Sequence, residues 1–311
     1  MTQPAQSSTY VAPEVPFYNE ATVARVLRYE TLVPAMERAL SDFSMGNVLQ
    51  PVRSILPVET SKGFFGLMPA VYGDIMGAKL VTLFPGNAGT ALPTHQGIIV
   101  LLRATTGEPL AVLDGRLITE MRTAAVTAAA VTHLAPQSAR TLAILGSGVQ
   151  ARAHFAALGS VRHFDEVYVW SRTTVHAQQL ASEIGATATN AEDAVRRADV
   201  IVTVTGAAEP IVFGQWLKTD SLVCAVGAVG TTRRELDSAA MQAAVIVDSR
   251  EAAAVESGDI LLADAISCAE LGEILAGKAS KPPAGRIVFK SLGLAVEDLA
   301  AAKLVLDSIA A

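Results

Sequence analysis

One segment, Thr141-Leu-Ala-Ile-Leu-Gly-Ser-Gly-Val-Gln-Ala151, constrains this chain more than any other. An apolar run, Leu142 to Leu145, enters Gly146-x-Gly148-x-x-Ala151, and a helical stretch from Gln150 to Leu158 leaves it. This strand–turn–helix is the opening of a dinucleotide-binding unit. Gly146 permits the tight turn, Gly148 lets backbone approach a pyrophosphate, and Ala151 lets helix and strand pack closely. The free N–H groups of the helix start then face the phosphates. From Ala139 onward the rhythm is β-α-β. Strands are expected at Thr141–Leu145, Val167–Trp170, Val200–Val204, Leu222–Val226, Val245–Val247 and Ile287–Phe289, with helices at Val175–Ile184 and Ala191–Arg197. Such alternation predicts a Rossmann-type, doubly wound parallel sheet in an α/β protein.

The second strand, Glu166–Trp170, ends in Ser171-Arg172-Thr173. An NAD-selective site usually carries an acid about 20 residues past the glycines, to accept from the ribose 2′-hydroxyl. Here a guanidinium stands between two hydroxyls, which suits a 2′-phosphate. NADPH is therefore the expected cofactor, with NADH possible. Ligands of these sheets bind at the carboxyl ends of the strands. That places Val204, Thr205, Val226, Gly227, Asp248, Ser249, Lys290, Ser291 and Gly293 beside Gly146, Gly148, Val149 and Gln150 as candidate cofactor residues.

The first part of the chain reads differently. Asn19 can cap Glu20–Leu27 and Thr31 can cap Leu32–Phe43. Short apolar segments follow at Val52–Val58, Phe64–Met68, Ala78–Phe84, Gly97–Arg103 and Leu110–Leu113, separated by turn signals such as Pro85-Gly86-Asn87. They predict a curved, largely antiparallel sheet. A helix of small residues, Thr119–Leu134, comes next. The final helix, Val296–Ile309, is expected to return to this first part. The division is thus 1–136 with 293–311 for the substrate, and 137–292 for the dinucleotide. Lys79 interrupts an apolar strand, which is costly unless it meets an anion or water. Arg122 near a helix start, and Arg53 before another strand, complete a set of cations suited to a carboxylate. His95 is a weaker candidate for a proton donor or a structural loop residue. No paired catalytic carboxylates or metal cluster stand out.

The bulk numbers bound the rest. Of 311 residues, 51% are hydrophobic and 17% charged, and the net charge is −6 without a basic cluster, which argues against a nucleic-acid partner. Cys224 and Cys268 lack metal or disulfide spacing. Residues 1–16 read as a polar arm without the apolar core of a signal peptide, and no run suits a membrane span. The cytoplasm is the default expectation.

These residues resemble the ornithine cyclodeaminase and mu-crystallin family, from Phe17 to Ile309. The resemblance rests on Met121–Val126, Leu145–Ala151, Val204-Thr205 with Glu209-Pro210-Ile211, and Phe289–Gly293 with Val296-Glu297-Asp298. Phe213–Trp216, Arg234–Asp237 and Glu256–Asp259 are similar to the mu-crystallin branch. The resemblance implies a homodimer formed through the first part of the chain. It also implies that Arg53, Lys79 and Arg122 hold an imino or amino acid by its carboxylate and neighbouring nitrogen, with Lys79 and Arg122 closest to the chemistry. Two departures bear on activity. Cyclodeaminases of this family carry an acid shortly after the fifth strand and another before Leu-Met-Pro. Here those stretches read Val226-Gly-Ala-Val-Gly230 and Gly66-Leu-Met-Pro69. The expected activity is NADPH-dependent reduction of a cyclic ketimine carboxylate. Ornithine cyclodeamination, an alanine dehydrogenase-like reaction and a purely ligand-binding role are the alternatives.

Overall fold

The computed structural model describes residues 14–310, and two sheets organise them. The first sheet holds β1 (Phe17–Tyr18), β2 (Val48–Leu49), β3 (Ser54–Val58), β4 (Gly63–Tyr72), β5 (Ile75–Leu83), β6 (His95–Arg103) and β7 (Pro109–Asp114). Its order is β1-β7-β6-β5-β4-β2, with β3 also on β4, and all its pairings are antiparallel except β1 with β7. The second sheet holds β8 (Thr141–Leu145), β9 (Glu166–Trp170), β10 (Thr187–Ala188), β11 (Val200–Thr203), β12 (Leu222–Ala225), β13 (Ala244–Val247), β14 (Ser267–Glu270) and β15 (Ile287–Lys290). Its order is β10-β9-β8-β11-β12-β15-β13-β14, and every pairing is parallel. The α/β, Rossmann-type class expected from the glycine motif is the class observed. Strands β8, β11, β12 and β15 are apolar and almost wholly buried, because helices cover both faces of a parallel sheet.

Helices α1 (Glu20–Val26), α2 (Tyr29–Ser44) and α3 (Gly115–Leu134) belong to the first half of the chain. In the second half lie α4 (Val149–Val161), α5 (Thr174–Ile184), α6 (Ala191–Arg197), α7 (Arg250–Glu256), α8 (Gly258–Leu261), α9 (Leu271–Leu275) and α10 (Ala295–Ala310). Asn19 caps α1 as expected, its side chain accepting from Thr22 N at 3.0 Å. Two helix starts differ from the expectation. Thr31 is not a cap: α2 begins at Tyr29, and the Thr31 hydroxyl donates back to Arg28 O. Helix α3 begins at Gly115, where Asp114 accepts from Arg116 N at 2.9 Å, rather than at Thr119. That leading turn had no apolar stripe to mark it.

Every residue of α3 from Ala124 to Val131 is buried, and none of these side chains is larger than valine. Small side chains let α10 and α4 approach its backbone closely. The first half of α10 is buried, and the helix contacts β4, β5, β6, α2 and α3. The strands β10 and β14 escaped sequence reading because β10 has only two residues and β14 reads Ser-Cys-Ala-Glu, without an apolar run. Most of the N-terminal arm, residues 1–13, lies outside the described residues. Among those described, no helix is long and apolar enough to cross a membrane, and no cluster of His, Cys, Asp and Glu could hold a metal.

Candidate active site

The Gly146 loop lies where β8 has β9 on one side and β11 on the other, the point at which connections diverge and ligands bind. Gly146 has φ +136°, and a Cβ there would meet Val204 Cγ2 and O at 2.8 Å. Only glycine takes that conformation without strain. Gly148 precedes α4, and no side chain caps the helix, so its first N–H groups are open to an anion. A cavity of about 360 Å³ runs past this loop, lined by Gly146, Ser171, Arg172, Thr173, Val204 and Thr205 among others. Ser147 Oγ donates to Ser171 Oγ at 2.9 Å and ties the glycine loop to the β9 tip. No acid lines this cavity, and His176 adds a second basic side chain that the sequence reading did not single out. The N-terminus of α5 opens there too, since Thr173 makes no side-chain cap. Exposed loop, open helix starts, guanidinium and imidazole together suit the phosphates of a dinucleotide. Val149 and Gln150 line a neighbouring cavity of about 260 Å³, with Val81, His95 and Thr119.

Several expected cofactor residues play another part. Asp248 is fully buried and accepts from Ser249 N, Ser291 Oγ, Leu292 N and Gly293 N at 2.6–3.1 Å. Ser249 caps α7 through Ala252 N. Lys290 is fully buried, pairing with Asp259 at 3.0 Å and donating to Ala228 O at 2.6 Å. The side chains of Asp248, Ser291 and Lys290 thus bond within and between the loops after β12, β13 and β15. A strand-end position in the sequence does not reveal which way its side chain is spent.

Beside the β15 end the structure gathers the three expected cations. Lys79 Nζ lies 2.7 Å from Asp298 Oδ2. Arg122 donates from Nε to Asp298 Oδ1 at 2.9 Å and from Nη1 to Glu297 Oε2 at 2.6 Å. Arg53 donates from Nη2 to Leu292 O and Gly293 O, and its Nε pairs with Glu256 at 3.0 Å. Arg122 is not at a helix start as the sequence suggested. It stands about two turns inside α3 and reaches instead the first turn of α10, where Glu297 and Asp298 lie. Those two carboxylates are the functional residues sequence reasoning missed. Both are fully buried. They are adjacent in sequence but some 176 residues from Arg122, so local spacing could not pair them. The motif Val296-Glu297-Asp298 was the available signal: two acids inside an apolar helix need a buried partner.

Burial lowers the Lys79 ammonium to about 8, with Arg122 adding to the fall and Asp298 opposing it. Burial raises the Glu297 carboxyl to about 7, helped by Asp248 and Asp298 and opposed by Arg122. Glu297 Oε1 has no hydrogen-bond partner. His95 begins β6 instead of lying in a loop, in register with Leu83; burial and then the Lys79 charge push its imidazole below the usual range. Gly66 pairs with Val81 on β5, and a Cβ there would meet Val81 Cγ1 at 2.9 Å, so a glutamate at this position has no room as the sheet stands.

The ornithine cyclodeaminase/mu-crystallin family model matches residues 16–311. The chain belongs to this family. It is 47% identical to the ketimine reductase mu-crystallin of Mus musculus over 286 residues, 89% of this chain and 91% of that one. Among solved structures it resembles Thermococcus litoralis Δ1-pyrroline-2-carboxylate reductase in complex with NADH and L-proline. There the TM-score is 0.89 and identity 31%, covering 95% of this chain and 98% of that one. An archaeal alanine dehydrogenase dimer with bound NAD has TM-score 0.89 and identity 30%, covering 95% and 96% of the two chains.

Proposed function

We propose that this chain is an NADPH-dependent ketimine reductase. Its substrate would be a cyclic imine carboxylate, Δ1-pyrroline-2-carboxylate or Δ1-piperideine-2-carboxylate, and its product the cyclic amino acid. The observation that carries this reading is the charge balance of the buried cluster: Lys79 and Arg122 face Glu297 and Asp298. A site whose charges already cancel suits a ligand of no net charge that still carries both signs. A protonated imine bearing a carboxylate is such a ligand. Arg53 and Arg122 each keep donors for its carboxylate, and the carboxylates of α10 favour its protonated nitrogen.

When bound, the dinucleotide supplies the hydride. Gly146, Gly148 and the α4 start would hold its pyrophosphate, and Arg172 with Ser171, Thr173 and His176 its 2′-phosphate. Lys79 keeps a proton near neutral pH yet yields it readily, so it serves as the acid for the amine nitrogen that forms once the iminium has taken the hydride. The arginines fix the carboxylate and hence the ring face, and such positioning supplies much of the acceleration. The relatives named above support imine reduction as the reaction class. The lack of an acid among the residues lining the β9 cavity favours NADPH over NADH, and the lack of an acid at Gly66 and Val229 favours reduction over cyclodeamination.

The same reading assigns residues 1–136 and 293–311 to the substrate half and 137–292 to the dinucleotide half. It makes the protein a homodimer through the first sheet, where Ile55, Leu56, Leu67 and Ile98 are exposed. The test is NADPH oxidation at 340 nm with each imine, alongside ornithine plus NAD⁺ for ammonia release. Imine-dependent oxidation is expected, and the rate ratio gives ring preference. Silence with both imines and ammonia from ornithine would overturn the assignment.

A further inference from the structure

Glu235 was noticed in the sequence only as part of a family-like segment, and nothing in the reaction above uses it. It is fully buried, in the loop between β12 and β13. Its Oε1 accepts from Thr205 N at 2.7 Å and from Thr205 Oγ1 at 2.6 Å. Its Oε2 accepts from Thr203 Oγ1 at 2.7 Å, Gly227 N at 2.8 Å and Ala228 N at 3.2 Å. The carboxylate thus gathers the ends of two neighbouring strands, β11 and β12. Gly227 has to be glycine for this: a Cβ would meet Thr205 N and O at 2.2 Å. The carboxylate is itself held. Asp259 Oδ1 accepts from Glu235 N and Leu236 N at 2.8 and 3.0 Å, and Lys290 links Asp259 to Ala228 O.

The two strand ends it joins have a defined place in the cleft. Strand order runs β9-β8-β11-β12-β15. The ribose-phosphate tip is on β9, the pyrophosphate loop follows β8, and the Lys79–Arg122 cluster adjoins the end of β15. A dinucleotide stretched across the switch point therefore lays its reactive half over β11 and β12. Burying a carboxylate costs several kcal/mol unless it is well bonded. Here the donors are three backbone N–H groups and two hydroxyls, all from the loops the ring would rest on. A glutamine at this position would turn an NH₂ against either Thr205 N–H or the Gly227 and Ala228 N–H groups. Donor would then face donor, and the two loops would separate.

We infer that Glu235 is a positioning residue that sets the floor of the nicotinamide half of the cofactor cleft, acting through the Thr203–Thr205 and Gly227–Ala228 backbones without touching the ligand. This rests on the dinucleotide reading given above. The test separates the two halves of the cofactor. Affinities for NADPH and for adenosine 2′,5′-bisphosphate, which lacks the nicotinamide half, are measured by calorimetry on wild type and Glu235→Gln. The variant is expected to bind NADPH ~10-fold or more weakly, the effect of losing charge-assisted hydrogen bonds, and to bind the bisphosphate as wild type does. Thr203→Val removes one donor to Oε2 from a residue with no exposed surface, and should give a smaller split of the same sign; Thr203→Ser should restore wild-type values. If Glu235→Gln does not fold, the Thr203 pair carries the same test. Equal loss for both ligands, or no loss for either, would overturn the positioning role. Wild type that binds neither ligand would instead overturn the cofactor reading on which the inference stands.

Discussion

Two buried charge clusters lie close together beside the ends of the parallel strands, and they are finished differently. In the Glu235–Asp259–Lys290 cluster, Glu235 has five donors on its two oxygens, and Lys290 has both a carboxylate and a carbonyl. In the Lys79–Arg122–Glu297–Asp298 cluster, Glu297 Oε1 has no partner and Asp298 is the single carboxylate paired with Lys79 among the described residues. A carboxylate bonded through both oxygens, as Glu235 is, rigidifies what it holds. One with an oxygen to spare is suited to a ligand that completes it. On the proposed function, the contrast separates the groups that would shape this cleft from those that would act in it.

The most severe way to break that contrast is Lys79→Met. It should lower kcat for imine reduction by roughly 10²–10⁴-fold, the range for removing an acid catalyst. In wild type the protonated amine is the active form. The reduction rate should therefore stay level below about pH 8 and fall above it, since that is where the buried ammonium gives up its proton. A profile unchanged across that limb, or a Lys79→Met enzyme with full kcat, would place the proton donor elsewhere.

Arg122→Ala comes next. It should raise KM steeply and lower kcat/KM by ~100-fold, as expected for losing a charge-assisted hydrogen bond to the substrate. It also strands the buried Glu297 carboxyl and leaves Asp298 to Lys79 alone, which costs about 3–5 kcal/mol and should appear in urea unfolding. Stability lost with kcat/KM intact would move this cluster into the same class as the Glu235 network. Arg172→Ala is milder. NADPH affinity should fall ~10-fold while NADH affinity holds, because only one of them carries the 2′-phosphate. Equal affinities for the two cofactors in wild type would remove Arg172 from that role.

The smallest effect sharpens the comparison by pH. Glu297 binds its proton more tightly when folded, holding it to about pH 7 against an ordinary value of 4.5. Its contribution to stability is complete below the unfolded value and is lost as pH rises through about 7. Urea midpoints of wild type should decline between pH 5 and 8, and Glu297→Gln, which stays neutral, should decline less. Parallel curves for the two proteins would show that the unpartnered oxygen is solvated in practice.

The two clusters also differ in what the sequence revealed of them. Lys79 announced itself, because an ammonium in an apolar strand has to be compensated. Arg122 was noticed for an unsound reason, a helix start placed one turn late, and its real partners lay on α10. Glu297, Asp298 and Glu235 were visible only as acids inside family-like segments. The cofactor loop was the opposite case. Gly146, Gly148 and Ala151 act on neighbours within one strand, one turn and one helix, so their meaning is contained in consecutive residues.

The sequence by itself therefore determined the parallel α/β sheet, the glycine loop at its switch point and the missing acid at the β9 tip. Each follows from backbone geometry or from a local pattern of period two or 3.6. Only the tertiary structure decided which charges meet. It turned Lys290 and Asp248 inward, brought the first turn of α10 against Arg122 and Lys79, and placed Glu235 beneath two strand ends. A charge–charge contact depends on distance in space, and no periodicity along the chain encodes the approach of residues some 176 positions apart.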